Sequence, residues 1–262
     1  MIGIALTLFI WSAVVEPRYL VVRERTLTLE NWRPELAGIR VALIGDLHVG
    51  APPMGRGRVR HIVERTRRLR PELVLFLGDL VDTKGLFRSR IPLNEVAVDL
   101  RGLDAPLGVF GVLGNHDHWF GADRVRSTLE RGGVRVIDNE PVRLRYRGVP
   151  FWLLGVGDDF TGHADLDAVQ VEGPRILATH SPDLFPDVDE GVALTVAAHT
   201  HGGQVRLPGI GPLFVPSRFG KRYAQGHYRA GSRQLWVTSG LGTSMVPVRF
   251  GVPPEIVILT LQ

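Results

Sequence analysis

The sequence predicts an α/β protein, an α+β sandwich in which two mixed β-sheets pack face to face and helices flank them. Three observations lead there. Five short apolar runs each stop at an Asp, Asn or His: 40–45 before Asp46-Leu47-His48, 73–77 before Gly78-Asp79, 108–113 before Gly114-Asn115-His116-Asp117, 176–179 before His180, and 192–197 before Ala198-His199-Thr200-His201. In the first half these runs alternate with helical periodicity, the β-α-β-α-β-α order of parallel strands joined by helical crossovers. In the second half, strand-like segments follow one another across short turns.

The run 73–77 is the clearest. Its five apolar residues lie between Pro71 and Gly78, too short for a typical helix, and read as a strand buried on both faces. Ligands of open α/β sheets sit outside the carboxyl ends of strands. Taken singly, each Asp, Asn or His reads as a turn residue or a satisfied histidine. Five at successive strand ends mark a common site.

The remaining elements follow in order. Residues 1–15 carry no charged side chain, and Glu16-Pro17-Arg18 closes the stretch. It is shorter than the about 20 residues of a full membrane span, and no basic region or twin arginine precedes it. Arg18, Arg23 and Arg25 follow, with Trp11 and Tyr19 as interfacial anchors, so the positive-inside rule places the following domain in the cytoplasm. Residues 1–19 are read as an apolar N-terminal anchor at the inner membrane, and 20–262 as one catalytic domain. The competing reading is a buried helix or strand of that domain.

Residues 20–29 alternate loosely, as an edge strand or hairpin arm. A Gly/Pro-rich turn spans 50–57. Val59, Ile62, Val63, Thr66 and Leu69 keep helical spacing over 58–69, with an arginine-rich face opposite, either solvated or a cationic surface. The polar stretch 84–94 lies just beyond a strand end and can form a lip over the site. Helices are predicted over 95–103 and 122–131. Strands are predicted over 134–138, 141–147 and 151–156, and again from 175, 192, 204, 234 and 255, with a short helix over 165–171.

The hydrophobic fraction of 44% and charged fraction of 22% are ordinary for a globular protein. Without cysteine there is no disulfide and no thiolate ligand. Asp, Asn and His remain as metal ligands, favouring Mn, Fe or Zn over ions that need soft sulfur. The net charge is +4, and only Lys84 and Lys221 are lysines. Arginine suits phosphate recognition, and a basic chain fits an anionic membrane surface or nucleic acid.

Asp46-Leu47-His48, Gly78-Asp79-Leu80-Val81-Asp82, Gly114-Asn115-His116-Asp117, His180 and His199-Thr200-His201 together resemble the ordered motif set of the calcineurin-like metallophosphoesterases. The stretches 102–108, 199–208 and 249–255 further resemble a bacterial phosphodiesterase branch often tethered to the inner membrane. That branch includes enzymes cleaving the lipid A precursor UDP-2,3-diacylglucosamine. The resemblance implies the metallophosphoesterase fold and two divalent ions, with Mn favoured. Asp46, His48, Asp79 and His201 would hold one ion; Asp79, Asn115, His180 and His199 would hold the other. A shared Asp79 and a bridging hydroxide reduce the repulsion between cations about 3.5–4 Å apart, and the hydroxide attacks the phosphodiester or pyrophosphate.

By the same resemblance, His116 hydrogen-bonds a phosphate oxygen or protonates the leaving group, and Asp117 orients it. A structural turn histidine is the alternative. Asp82 is implied as a partner of the ligand residues. Glycine usually precedes the His-Thr-His; here Ala198 stands there, which is costly if φ must be positive. Asp158, Asp159 and His163 form a further acidic patch, read as surface loop. The expected substrate is a phosphoester, amphiphilic if the anchor is real, such as a UDP-linked acyl glucosamine. A nuclease or nucleotide phosphodiesterase and a non-catalytic metal-binding scaffold are the alternatives. The full ligand set speaks against the scaffold, and the apolar start and lack of a long appended domain speak against a nucleic-acid partner.

Overall fold

All five residues of the run 73–77 are buried, because successive strand side chains face opposite ways and both faces are covered. The computed structural model describes residues 2–87 and 89–262. The strands are β1 (Val21–Leu27), β2 (Arg40–Ile44), β3 (Leu73–Leu77), β4 (Val109–Val112), β5 (Arg135–Val136), β6 (Glu140–Tyr146), β7 (Val149–Gly155), β8 (Arg175–Ala178), β9 (Leu194–Ala197), β10 (Arg206–Leu207), β11 (Gly211–Pro212), β12 (Gly226–Ala230), β13 (Arg233–Val237) and β14 (Glu255–Leu261). The helices are α1 (Ile2–Ile10), α2 (Arg56–Arg68), α3 (Leu93–Leu100) and α4 (Asn115–Arg131).

The first sheet runs β1-β14-β2-β3-β4-β5 and the second β12-β13-β9-β8-β7-β6. Strands β2 to β5 are parallel, while β14 lies antiparallel against β2. In the second sheet β7, β8, β9 and β13 are parallel, with β6 and β12 as antiparallel edges. Val41, Leu43, Leu73 and Leu75 pack with Leu153, Ile176, Leu194 and Val196 of the facing sheet. The alternate residues Ala42, Ile44, Val74 and Phe76 pack with Val59 and Ile62 of α2, Val96 of α3 and Leu129 of α4. Burying the five side chains of β3 contributes on the order of 10 kcal/mol. The two parallel sets send their carboxyl ends to one edge of the sandwich.

Several local expectations are corrected. The edge strand β1 is no hairpin arm: it pairs in parallel with β14, which inserts between β1 and β2. Helix α4 begins at Asn115 rather than near 122, with a break at Gly121 (φ 125°) joining its two halves. The stretch 165–171 forms only a 3-10 turn over Asp167–Val169, and the strand expected from 204 shrinks to the two residues of β10. Strand β12 was not expected; its residues alternate between exposed and half-buried, leaving little apolar signal.

Past α1 the chain widens into a π turn over Trp11–Val15 and tightens into a 3-10 turn over Glu16–Arg18. Glu16 and Pro17 are buried. The Glu16 carboxylate accepts N–H bonds from Val252 at 2.6 Å and from Trp11 Nε1 at 2.6 Å. Among the described residues no helix is long and apolar enough to cross a membrane.

Candidate metal centre

The sandwich edge gathers every sequence-predicted ligand. Asp46 and His48 follow β2, Asp79 follows β3, Asn115 follows β4, His180 follows β8, and His199 and His201 follow β9. All seven are buried. Five of them take the left-handed backbone region: Asp46 (φ 49°), His48 (47°), Asp79 (55°), His199 (69°) and His201 (52°). Such conformations cost of order 1–3 kcal/mol each in non-glycine residues. Here they turn the chain sharply off a strand end and aim side chains inward. Ala198 keeps a negative φ, so alanine there carries no backbone penalty.

The donor atoms fall into overlapping trios. Asp46, His48 and His201 each bring one ligand atom within 4.8 Å of the others, as do Asp79, His180 and His199. A third such trio, His48, Asp79 and His116, joins them. Asp79 Oδ1 accepts the His116 N–H at 2.9 Å. Its Oδ2 lies 3.5 Å from His48 Nε2 and 3.4 Å from His180 Nε2, between the two groups. Asn115 Oδ1 stands 3.1 Å from His180 Nε2. The His180 Nδ1–H donates to the Leu77 carbonyl at 2.6 Å, which leaves Nε2 to face the centre.

This donor set fits cations better than it fits itself. Nε2 of His48 and Nε2 of His201 meet at 3.0 Å, although burial depresses both imidazoles, His48 to about 3. Burial, followed by the charge of His180, lowers His199 to about 4. Burial pushes Asp46 up to about 7. Burial opposes protonation of His180, yet Asp79 holds it well above its ordinary value. Among the described residues, Asp46 Oδ2, His48 Nδ1 and His199 Nε2 are buried without a hydrogen-bond partner. Unpartnered buried acceptors are costly, and neutral imidazoles converging with carboxylates are the form metals bind.

His116 and Asp117 sit in the first turn of α4. Nδ1 of His116 accepts the Thr83 N–H at 3.2 Å and lies 2.8 Å from Thr83 Oγ1. Its Nε2 is therefore the protonated nitrogen, and it lies 3.5 Å from Ser244 Oγ on the cavity side. Asp117 does not orient His116. Its carboxylate accepts the backbone N–H groups of Asp79, Leu80 and Gly114 at 2.8, 2.9 and 3.0 Å. It fixes the Asp79 turn and the start of α4, because those amides have no other strand partner to meet. Asp82 Oδ1 lies 4.0 Å from His116 Nδ1, and the Asp82 carboxylate also accepts the Gly85 N–H at 2.9 Å.

A cavity of about 420 Å³ opens over the centre. Its floor is Asp79, Asn115, His116, His199 and His201, and its walls are mostly apolar, including Trp119, Phe160, Phe214 and Met245. Lys84, from the stretch after β3, stands 3.5 Å over the Trp119 ring and lines the cavity. Sequence reasoning missed Arg249. It is fully buried, donates to the carbonyls of Gly242, Ser239 and Val252, and lies 3.4 Å from His201 Nδ1. Only its place in the 249–255 stretch marked it. In the acidic patch Asp158 is buried rather than surface-exposed, accepting from Thr161, while His163 stacks on His118 at 3.9 Å.

A two-sheet sandwich presenting buried Asp, Asn and His donors at its strand ends is a site able to hold divalent cations. Residues 39–220 match the calcineurin-like phosphoesterases, and the chain belongs to that family. It is 29% identical over 259 residues to the metallophosphoesterase YkuE of Bacillus subtilis (strain 168), covering 96% of this chain and 89% of that one. A metallophosphoesterase of Aquifex aeolicus (strain VF5) is 30% identical over 261 residues, covering 95% and 94%. The phosphodiesterase YaeI of Escherichia coli (strain K12) is 32% identical over 197 residues, covering 73% and 71%.

Proposed function

We propose that the protein hydrolyses a phosphodiester or pyrophosphate bond with two divalent ions, Mn favoured, held as the sequence motifs imply. The observation that carries this is Asp79 Oδ2 lying between the two donor groups, with His48 on one side and His180 on the other. Asp46, His48, Asp79 and His201 would hold one ion, and Asp79, Asn115, His180 and His199 the second. The ions, when bound, would supply Lewis-acid charge and an acidified water. The chain does the rest. His116 offers Nε2–H toward the cavity and suits a phosphate oxygen or a leaving group. Asp117 holds the Asp79 turn rigid. The apolar walls favour an amphiphilic phosphoester, such as a UDP-linked acyl glucosamine.

Residues 1–15 support attachment to the inner membrane, with the site on the cytoplasmic side. Helix α1 turns Ile4, Leu6, Leu8 and Phe9 to solvent, which supports contact with the bilayer. Purified protein should cleave bis-p-nitrophenyl phosphate with Mn and lose that activity to a chelator. Activity that survives exhaustive chelation would refute the metal-dependent reading.

A further inference from the structure

We infer that the rim of the cavity is itself a bilayer-docking surface, separate from α1, that seats the open site on an anionic leaflet. The inference rests on the amphiphile reading above. Loops from distant parts of the sequence carry large apolar side chains to the rim, outward into solvent. Phe87 is 81% exposed, Phe214 66% and Met245 59%. Leu86 and Leu213, also exposed, flank them. Phe214 and Met245 line the cavity mouth, whereas Leu86 and Phe87 stand outside it and serve no wall. Monomers rarely leave contiguous apolar patches of this kind uncovered.

The rim and α1 share one end of the molecule through a chain of backbone contacts. The Leu86 N–H donates to the Met245 carbonyl at 2.8 Å, and the Ser89 N–H to the Gly50 carbonyl at 2.8 Å. Thr243 Oγ1 donates to the Pro52 carbonyl at 2.9 Å, and the Arg249 N–H to the Ser12 carbonyl at 2.8 Å. Ile4 and Phe9 of α1 are exposed as well.

The charges around it select the partner. Arg90, just beyond Phe87, and Arg18, at the foot of α1, are exposed. Lys84 stands at the mouth. Exposed apolar side chains accompanied by exposed cations match a leaflet that offers acyl chains below phosphate headgroups. A second copy of the chain docked on the same face would bring like charges together.

The absence of native cysteine makes the test direct. Phe87→Cys, Phe214→Cys and Arg147→Cys are made in the full chain, each carrying a polarity-sensitive fluorophore. Arg147 lies in the turn before β7, at the end of the sandwich away from the centre. Vesicles of phosphatidylglycerol and phosphatidylcholine should blue-shift the labels at 87 and 214 and leave the label at 147 unchanged. Pure phosphatidylcholine should bind at least tenfold more weakly. Three results would overturn the inference: no vesicle binding; binding with the 87 and 214 labels still in water, which assigns attachment to α1 alone; or a lipid-free blue shift that grows with protein concentration, which assigns the rim to a second copy. Hydrolysis of bis-p-nitrophenyl phosphate by the unlabelled chain reports separately on the phosphoesterase reading. Its loss strikes that reading, and its persistence beside a water-exposed rim strikes only this one.

Discussion

Asp79 divides its two oxygens between the chain and the centre, and that division fixes what substitutions there should do. Oδ1 is engaged by the His116 N–H, so an amide can still satisfy the backbone while removing the charge shared by both donor groups. Asp79→Asn should keep its thermal midpoint and lose on the order of a thousandfold in Mn-dependent turnover, about 4 kcal/mol of barrier. Gly114→Ala should act on the same atom from the other side. A Cβ there would stand 2.3 Å from Asp79 Oδ1 and 2.7 Å from His180 Cε1. Isothermal titration with Mn should show weakened binding even where circular dichroism shows the fold retained. The ligands were legible in the sequence because their residue types recur at strand ends. Arg249 and Glu16 were not, because burial of a charged residue leaves no mark on residue order. Nor were the left-handed backbones of Asp46, His48 and His201, since no glycine announces them.

Between α2 and α3, Asp99 joins two elements that flank the first sheet. It accepts from Arg56 Nε at 2.7 Å and from Arg60 at 3.3 Å. Burial alone would raise its carboxyl, but these hydrogen bonds hold it below the ordinary carboxylate range. A depressed folded pKa gives stability that is full above the unfolded value, near 3.9, and lost as pH falls through the folded one. Asp99→Asn should therefore flatten the acid limb of a denaturation series below about pH 4. At pH 7 it should cost on the order of 2 kcal/mol. Helix α4 shows why element boundaries escaped the sequence. Its first turn is polar, Asn115-His116-Asp117-His118, and reads as loop, yet Asp117 returns to the Gly114 N–H and starts the helix there. The break at Gly121 then resets the periodicity. Gly121→Ala should lower the thermal midpoint, at a cost of about 1–3 kcal/mol.

For the whole molecule, the two-sheet architecture was readable from periodicity alone, whereas the N-terminal boundary was not. The uncharged stretch and the domain interlock at Glu16. Removing 2–10 should abolish vesicle binding through α1 and spare hydrolysis of a soluble diester. Removing 2–16 should also strip Val252 of its acceptor and Arg249 of a nearby carboxylate, reducing Mn affinity and thermal stability together. Strand β14 carries a further consequence, for biosynthesis. It fills the gap between β1 and β2, pairing over seven positions with one and four with the other. Until residues 255–261 have left the ribosome, both neighbours present open edges, the kind that recruit other chains. At 5–20 residues per second that interval lasts on the order of ten seconds or more. The nascent chain thus holds Asp46, His48, Asp79 and Asn115 on an unfinished sheet while the second sheet is still being made, a window in which chaperone contact or early metal capture would decide between folding and aggregation.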